Sequence, residues 1–380
     1  MKFSDLATIR KSTVHPQAFD GYDNYLGFEH FAPGTLRFET TGDPASVSSM
    51  KQEFLPGDTI YGKLRPYFRK VGWSKDLRGI CSTDLWVFKP KPGVDPRFVF
   101  YVAGSQEFTD LATQSSEGTR MPRASWSVVK DFEVLDFTLG EQRAIAATLG
   151  ALDDKIESNR RAISLIDELV RKRFEANFDL THVSDGVSIA ELVTVNRRLK
   201  LSRGSVSTYI GMSSLPQFSP SVLDWEKREF GSGQKFMNGD VLMARITPCL
   251  ENGKTAIVDM LQEGEVGWGS TEYVVLGPKG AISTPWIYAL VRHPDLREWA
   301  VRRMSGTSGR QRFQADSFDD YIIREPDSIQ LDGFNSFALP LFEQIAQMRD
   351  EVKKLASVRD TLLPALLSGE VRVPAEGVEA

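Results

Sequence analysis

One stretch limits the folds open to this chain. From Glu141 to Phe178, apolar residues at Ile145, Leu149, Leu152, Ile156, Ile163, Ile166 and Val170 recur at alternating steps of three and four, and Asn159 is the one polar residue at a seam position. No proline interrupts the stretch, Gly150 is its only glycine, and its solvent positions hold Glu, Lys, Arg and Ala, which favour helix. At 1.5 Å per residue such a helix spans roughly 57 Å. It leaves its apolar seam in water unless another element covers it.

The far end of the chain offers a partner. Between Leu341 and Leu367, Ile345, Met348, Val352, Leu355, Leu362 and Leu366 follow the same spacing, with Arg359 as the off-type residue. Each stretch opens on the same dipeptide, Glu141-Gln142 and Glu343-Gln344. The two are expected to pair, each preceded by a domain. The competing reading is an ordinary pair of core helices inside one large domain.

Self-similarity supports the first reading. Phe3-Ser4-Asp5-Leu6 resembles Ile189-Ala190-Glu191-Leu192, Tyr25-Leu26-Gly27 resembles Tyr209-Ile210-Gly211, and Phe54 to Ile60 resembles Phe236 to Leu242. Ser82-Thr83-Asp84-Leu85 then matches Ser270-Thr271-Glu272-Tyr273, and Glu117-Gly118-Thr119-Arg120 matches Ser305-Gly306-Thr307-Ser308. Five blocks in order, at offsets drifting only between about 182 and 188 residues, imply a tandem duplication. Within each half, short apolar runs at Asp58–Tyr61, Leu85–Phe88, Asp240–Ala244 and Tyr273–Leu276 predict a β-rich lobe. One helix is expected over Pro96–Leu111 and another over Thr284–Met304.

The 380 residues, 41% hydrophobic, suit two or more globular domains. The charged start and the lack of any apolar run of about 18 residues predict a cytoplasmic protein with no membrane span. Cys81 and Cys249 lack neighbours at metal spacing, so neither a disulfide framework nor a metal site is expected. A net charge of −5 excludes a uniformly basic surface and leaves room for local basic faces.

Catalytic motifs are absent from the sequence. No phosphate-binding glycine loop, dinucleotide fingerprint, zinc-protease motif or adenine-methylation motif occurs, and the four histidines do not recur between the halves. Asp327 followed by Glu351 and Lys353 imitates a nuclease motif, but the latter two fall in the heptad stretch. What recurs is a set of basic loops. Tyr61 to Lys75 contains Lys63, Arg65, Arg69, Lys70 and Lys75 among Tyr67, Phe68 and Trp73, with no acid; its counterpart contains Arg245, Thr247 and Lys254. Glu117–Arg123 and Ser305–Arg312 are the second recurring pair. Cations among aromatics suit a phosphate-lined groove, and Thr, Gln and Arg can read base edges. Solvated surface is the plain alternative for each loop taken singly.

These residues resemble the specificity subunits of type I restriction-modification systems. The resemblance rests on Leu139 to Ala146, Leu152-Asp153-Asp154-Lys155-Ile156, the two Gly-Asp strands, the Glu117–Arg123 loop and Leu362 to Val371, and it spans essentially the whole chain. Phe137-Thr138-Leu139-Gly140 departs from the usual Leu-Pro-Pro-Leu-like lead, and the second helix departs from the first after Gln344. The resemblance implies an α+β chain with two pseudo-symmetric target-recognition domains, 1–138 and 181–338. Between and after them lie a central spacer helix, 139–180, and a C-terminal helix, 339–380, forming an antiparallel coiled coil. It implies a non-catalytic subunit that binds a bipartite site in double-stranded DNA and docks two methyltransferase subunits, together with restriction or translocase subunits. No cofactor is expected in this chain; the partners would use S-adenosylmethionine, ATP and magnesium. Expected DNA contacts are Lys63, Arg65, Arg69, Thr83, Thr119, Arg120 and Arg123 in the first domain, and Arg245, Thr247, Thr271, Thr307, Ser308, Arg310, Gln311 and Arg312 in the second. The rival reading is a two-lobed protein-binding scaffold that dimerises through its helices.

Overall fold

Short apolar runs broken by turn residues become short strands in both halves. The structure, a computed structural model, describes residues 1–16, 22–32, 34–217, 219–222, 224–307 and 309–374. It divides into two units, one of Met1–Ile156 with Lys354–Ala380 and one of Glu157–Lys353. The four-segment sequence division is therefore not the division by compactness. Each unit holds one lobe together with a segment of both long helices.

In the first unit, α1 (Phe3–Leu6) leads into β1 (Ala7–Ile9), β2 (Thr13–Val14), β3 (Tyr25–Leu26), β4 (Lys51–Phe54), β5 (Thr59–Gly62), β6 (Val71–Trp73), β7 (Gly79–Cys81) and β8 (Leu85–Pro90). One sheet has the order β1-β8-β5-β6 and the other β2-β4-β7-β3, in which β3 and β7 run parallel. Phe3, Tyr61, Phe88, Phe98 and Phe108 fill the core under the helices, and rings such as Phe3 and Phe88 meet edge to face at 5.0 Å. The single helix expected over Pro96–Leu111 is two helices, α2 (Pro96–Gly104) and α3 (Gln106–Gln114). Ser105 causes the break: in extended conformation it ends α2, and its hydroxyl accepts from Phe108 N to start α3. A short α4 (Trp126–Val129) precedes the first long helix, α5 (Leu139–Asn177).

The second unit repeats this plan. β9 (Val187–Ser188) and α6 (Ile189–Leu192) precede β10 (Thr194–Val195), β11 (Val206–Ile210), β12 (Glu226–Glu229), β13 (Gln234–Phe236), β14 (Val241–Ala244), β15 (Thr255–Ile257), β16 (Gly267–Gly269) and β17 (Tyr273–Gly277). The order β10-β17-β14-β15 matches the first unit strand for strand, and Ala244 opposite Tyr273 stands where Gly62 stands opposite Leu85. β11 runs parallel to β16 as β3 does to β7. The halves differ at opposite edges of this sheet: β2 joins β4, the counterpart of β13, in the first unit, whereas β12 joins β11, the counterpart of β3, in the second. The Gly-Asp pairs have a structural cause. Asp58 holds Arg10 at 2.7 and 3.0 Å and accepts from Leu55 N; Asp240 lies 2.8 Å from Arg197 and accepts from Met237 N. The helix expected over Thr284–Met304 is likewise split, into α7 (Thr284–Arg292) and α8 (Pro294–Arg302), with His293 as the cap between them. β18 (Ile322–Ile323) pairs with β9, and α9 (Ser328–Leu367) follows, belonging to this unit up to Lys353.

The second long helix starts well before the position expected from its heptads. Asp327 accepts from the backbone N–H groups of Ile329 and Gln330, capping a helix that begins at Ser328. Pro340 sits inside it on an exposed face, where water can satisfy the carbonyl it leaves free. Glu343-Gln344 is thus mid-helix and exposed. Its sequence counterpart is not equivalent: Glu141 closes a capping box with Thr138, while buried Gln142 donates to Phe137 O and accepts from Asp95 N.

Within each unit the helix segments run antiparallel. In the first, Ile145 and Leu149 share a buried cluster with Leu363 and Leu366, and Arg359 donates to Asp153 at 2.8 Å. In the second, Val170 and Phe174 pack with Phe334 and Ala338, and buried Asn159 donates to Glu351 at 2.7 Å. Both off-type seam residues therefore have polar partners on the other helix. Ile156, Ile163 and Ile345 are buried as expected, while Leu152, Ile166, Met348, Val352, Leu355 and Leu362 are half-buried. Arg349 and Leu363 are buried in their place on the second helix. A seam at 3.5 residues per turn drifts around a helix of 3.6, which moves the covered stripe by one position over such a length.

Candidate nucleic-acid interface

In the first unit, the loop after α3 folds back on the end of β5. Lys63 N donates to Asp84 O, Ala124 N to Lys63 O, and Arg65 N to Pro122 O at 2.7 Å. The loop closes on itself through two backbone hydrogen bonds between Glu117 and Arg123, and Arg123 Nε donates to Asp84 at 2.9 Å. Gly118, at φ 96°, makes the turn.

The second unit reproduces each of these links. Arg245 N donates to Glu272 O, Phe313 N to Arg245 O, and Thr247 N to Gln311 O at 3.0 Å. Ser305 and Arg312 exchange two backbone hydrogen bonds, and Arg312 is gripped by both oxygens of Glu272 at 2.7 to 2.9 Å. Gly306 makes the turn at φ 126°. Two loops that differ in length and sequence are thus mounted identically, by a backbone ladder and an arginine-carboxylate clamp.

The expected contact residues divide into exposed and committed ones. Arg65, Thr83, Thr119 and Arg120 in the first unit, and Thr271, Thr307 and Arg310 in the second, are exposed around these loops. Arg123 and Arg312 are held in the clamps, so they position the loops. Arg69 is turned away, donating to Gly104 O at the end of α2, and burial lowers its pKa from the usual arginine value. Lys63 is half-buried and burial lowers its pKa, against the opposing pull of Asp84. Arg245 donates to Gln314 at 3.1 Å, while Thr247 and Gln311 are half-buried beside it. Ser308 lies outside the described residues. Asp84 and Glu272 went unrecognised in the sequence, although an acid recurring after Ser-Thr in both halves was the signal.

Among the described residues no helix is long and apolar enough to cross a membrane, and no group of three or more His, Cys, Asp or Glu side chains could hold a metal ion.

No protein-family model matches the chain. It is 24% identical over 315 residues to the type I restriction enzyme MjaIX specificity subunit of Methanocaldococcus jannaschii, covering 75% of this chain and 71% of that protein. It is 27% identical over 158 residues to the EcoEI specificity subunit of Escherichia coli, covering 40% of this chain and only 26% of that protein. The crystal structure of the type I restriction-modification S subunit from M. genitalium superposes with a TM-score of 0.56 at 16% identity, covering 97% of this chain and 95% of that one, which establishes a shared fold.

Proposed function

Since the chain belongs to the family of type I restriction-modification specificity subunits, we propose that each lobe reads one half of a split site in double-stranded DNA. In this reading the subunit is non-catalytic, and the long helices act as a spacer and as the docking surface for methyltransferase subunits. The observation that supports it is the duplicated mounting of two loops, clamped by Arg123–Asp84 and Arg312–Glu272, with exposed donors beside each. Uncommitted Arg65, Arg120 and Arg310 supply charge for phosphates or guanine, and Thr83, Thr119, Thr271 and Thr307 supply hydroxyls for base edges. Sequence is read by the loop tips, and the clamps set their register.

Charge reversal tests this. Arg120→Glu or Arg310→Glu, in the subunit assembled with a type I methyltransferase subunit, should weaken DNA binding and flatten its dependence on salt. Unchanged DNA affinity in both variants would favour the two-lobed protein scaffold instead.

A further inference from the structure

Among the described residues, the reading end of the first lobe has an apolar surface without a counterpart at the matching positions of the second. Tyr67 and Phe68 pack ring to ring at 4.7 Å and are 51% and 37% exposed. Met121, next to the Pro122 carbonyl that accepts from Arg65 N, is 47% exposed. Their counterparts through the repeat are Cys249, Leu250 and Arg310; Leu250 is buried and Arg310 is charged. The asymmetry lies in the loop tips, while the mounting beneath them is shared.

This surface is held out rigidly. The 3₁₀ turn Pro66–Phe68 is flanked by Arg65 at φ 49° and Arg69 at φ 46°, a left-handed conformation that costs non-glycine residues free energy and clusters at functional sites. Arg69 is anchored on Gly104 O, and Phe68 O accepts from Gly34 N. Arg65 opens the turn and Arg120 precedes Met121 in the chain, both exposed, and the Asp84 charge is answered by Arg123. Exposed apolar side chains with cationic neighbours fit a polyanion that presents one apolar group. In the major groove that group is the 5-methyl of thymine.

We propose that Tyr67, Phe68 and Met121 read a thymine methyl in the half-site recognised by the first lobe. This rests on the DNA-reading role proposed above and specifies its chemistry. The second lobe, with Cys249, buried Leu250 and Arg310 in place of these side chains, reads its half-site through hydrogen bonds.

The test uses the assembled complex and duplexes in which each thymine of the first half-site is replaced in turn by uracil, which removes the methyl and keeps every hydrogen-bonding group. One position should weaken binding by about three- to tenfold, the scale of one buried methyl. Substitution in the second half-site should have no such effect. A Tyr67→Ser, Met121→Ser variant should bind thymine and uracil duplexes alike, while Met121→Leu should keep the preference. The proposal is overturned if the first half-site holds no thymine, if uracil is neutral at every position, or if the double variant still distinguishes the two. Absence of any split-site binding by the complex overturns the DNA-reading role itself.

Discussion

Arg312 is held by both carboxylate oxygens of Glu272, and Arg123 holds Asp84 at the matching place in the other half. Each pair ties the end of a loop that differs between the halves to the turn that precedes a buried central strand, β17 or β8. Duplication has preserved the fastening and let the fastened loops diverge. Such a division suits a protein whose specificity changes while its scaffold stays.

Loosening one clamp should therefore affect one half of the target. Glu272→Gln is expected to raise Kd for a duplex bearing both half-sites about tenfold, a change of about 1.4 kcal/mol. It should relax base preference in the second half-site and leave the first unchanged. Asp84→Asn should do the reverse. Binding titrations against single-base variants of each half-site measure this, and uniform weakening across both halves contradicts it.

The turn glycines give an independent test. A Cβ on Gly306 would lie 3.0 Å from Arg310 O at a φ of 126°, and Gly118 sits at φ 96°. Gly306→Ala should cost about 1 to 3 kcal/mol locally. It should impair the second half-site more than Gly118→Ala does, with both read as above.

The paired helices depend on polar groups in their seam. Arg359 and Asp153 are 11% and 18% exposed, and Tyr101 donates its hydroxyl to the same aspartate at 2.7 Å. Arg359→Met should destabilise the chain by about 1 to 3 kcal/mol, because a carboxylate is left in a mostly buried place. Adding Asp153→Leu should recover most of that loss. Urea unfolding of the two single variants and the double variant measures the coupling.

A pH effect is expected from Glu265. Burial raises its pKa, but hydrogen bonds from Lys227, Thr208 and Gln262 outweigh this and pull the carboxyl down to about 2. A pKa depressed in the folded state gives stability that is present above the usual carboxylate value of about 4.5 and is lost as pH falls toward 2. Wild type and Glu265→Gln should therefore converge in urea midpoint between pH 4.5 and 2. A constant difference across that window contradicts the assignment.

Much of this fold was legible in the sequence because duplication repeats its own evidence. The strands around Ile60 and Leu242 could be read from apolar runs and Gly-Asp turns, and the helix after Thr138 from its heptads. What could not be read depended on tertiary partners. Ser105 and His293 looked like ordinary positions in continuous helices until their capping roles were seen. The second long helix could be read from 339 on, yet it starts at Ser328, where Asp327 caps it. Arg123 and Arg312 looked like free base readers, since the acids that hold them lie some 40 residues earlier in the chain. Arg69 had the same charge and neighbourhood as Arg65, and only the folded backbone shows it turned to Gly104.

The central claim is that two separately mounted lobes read two halves of one site. Co-expression of this chain with the methyltransferase subunit of a type I restriction-modification system, followed by single-molecule mapping of N6-methyladenine, tests it most directly. The expected result is a split motif with a fixed unread gap, in which exchanging the Ser305–Arg312 loop changes the second half alone. Methylation at a continuous motif, or a loop exchange that alters both halves together, would contradict the account.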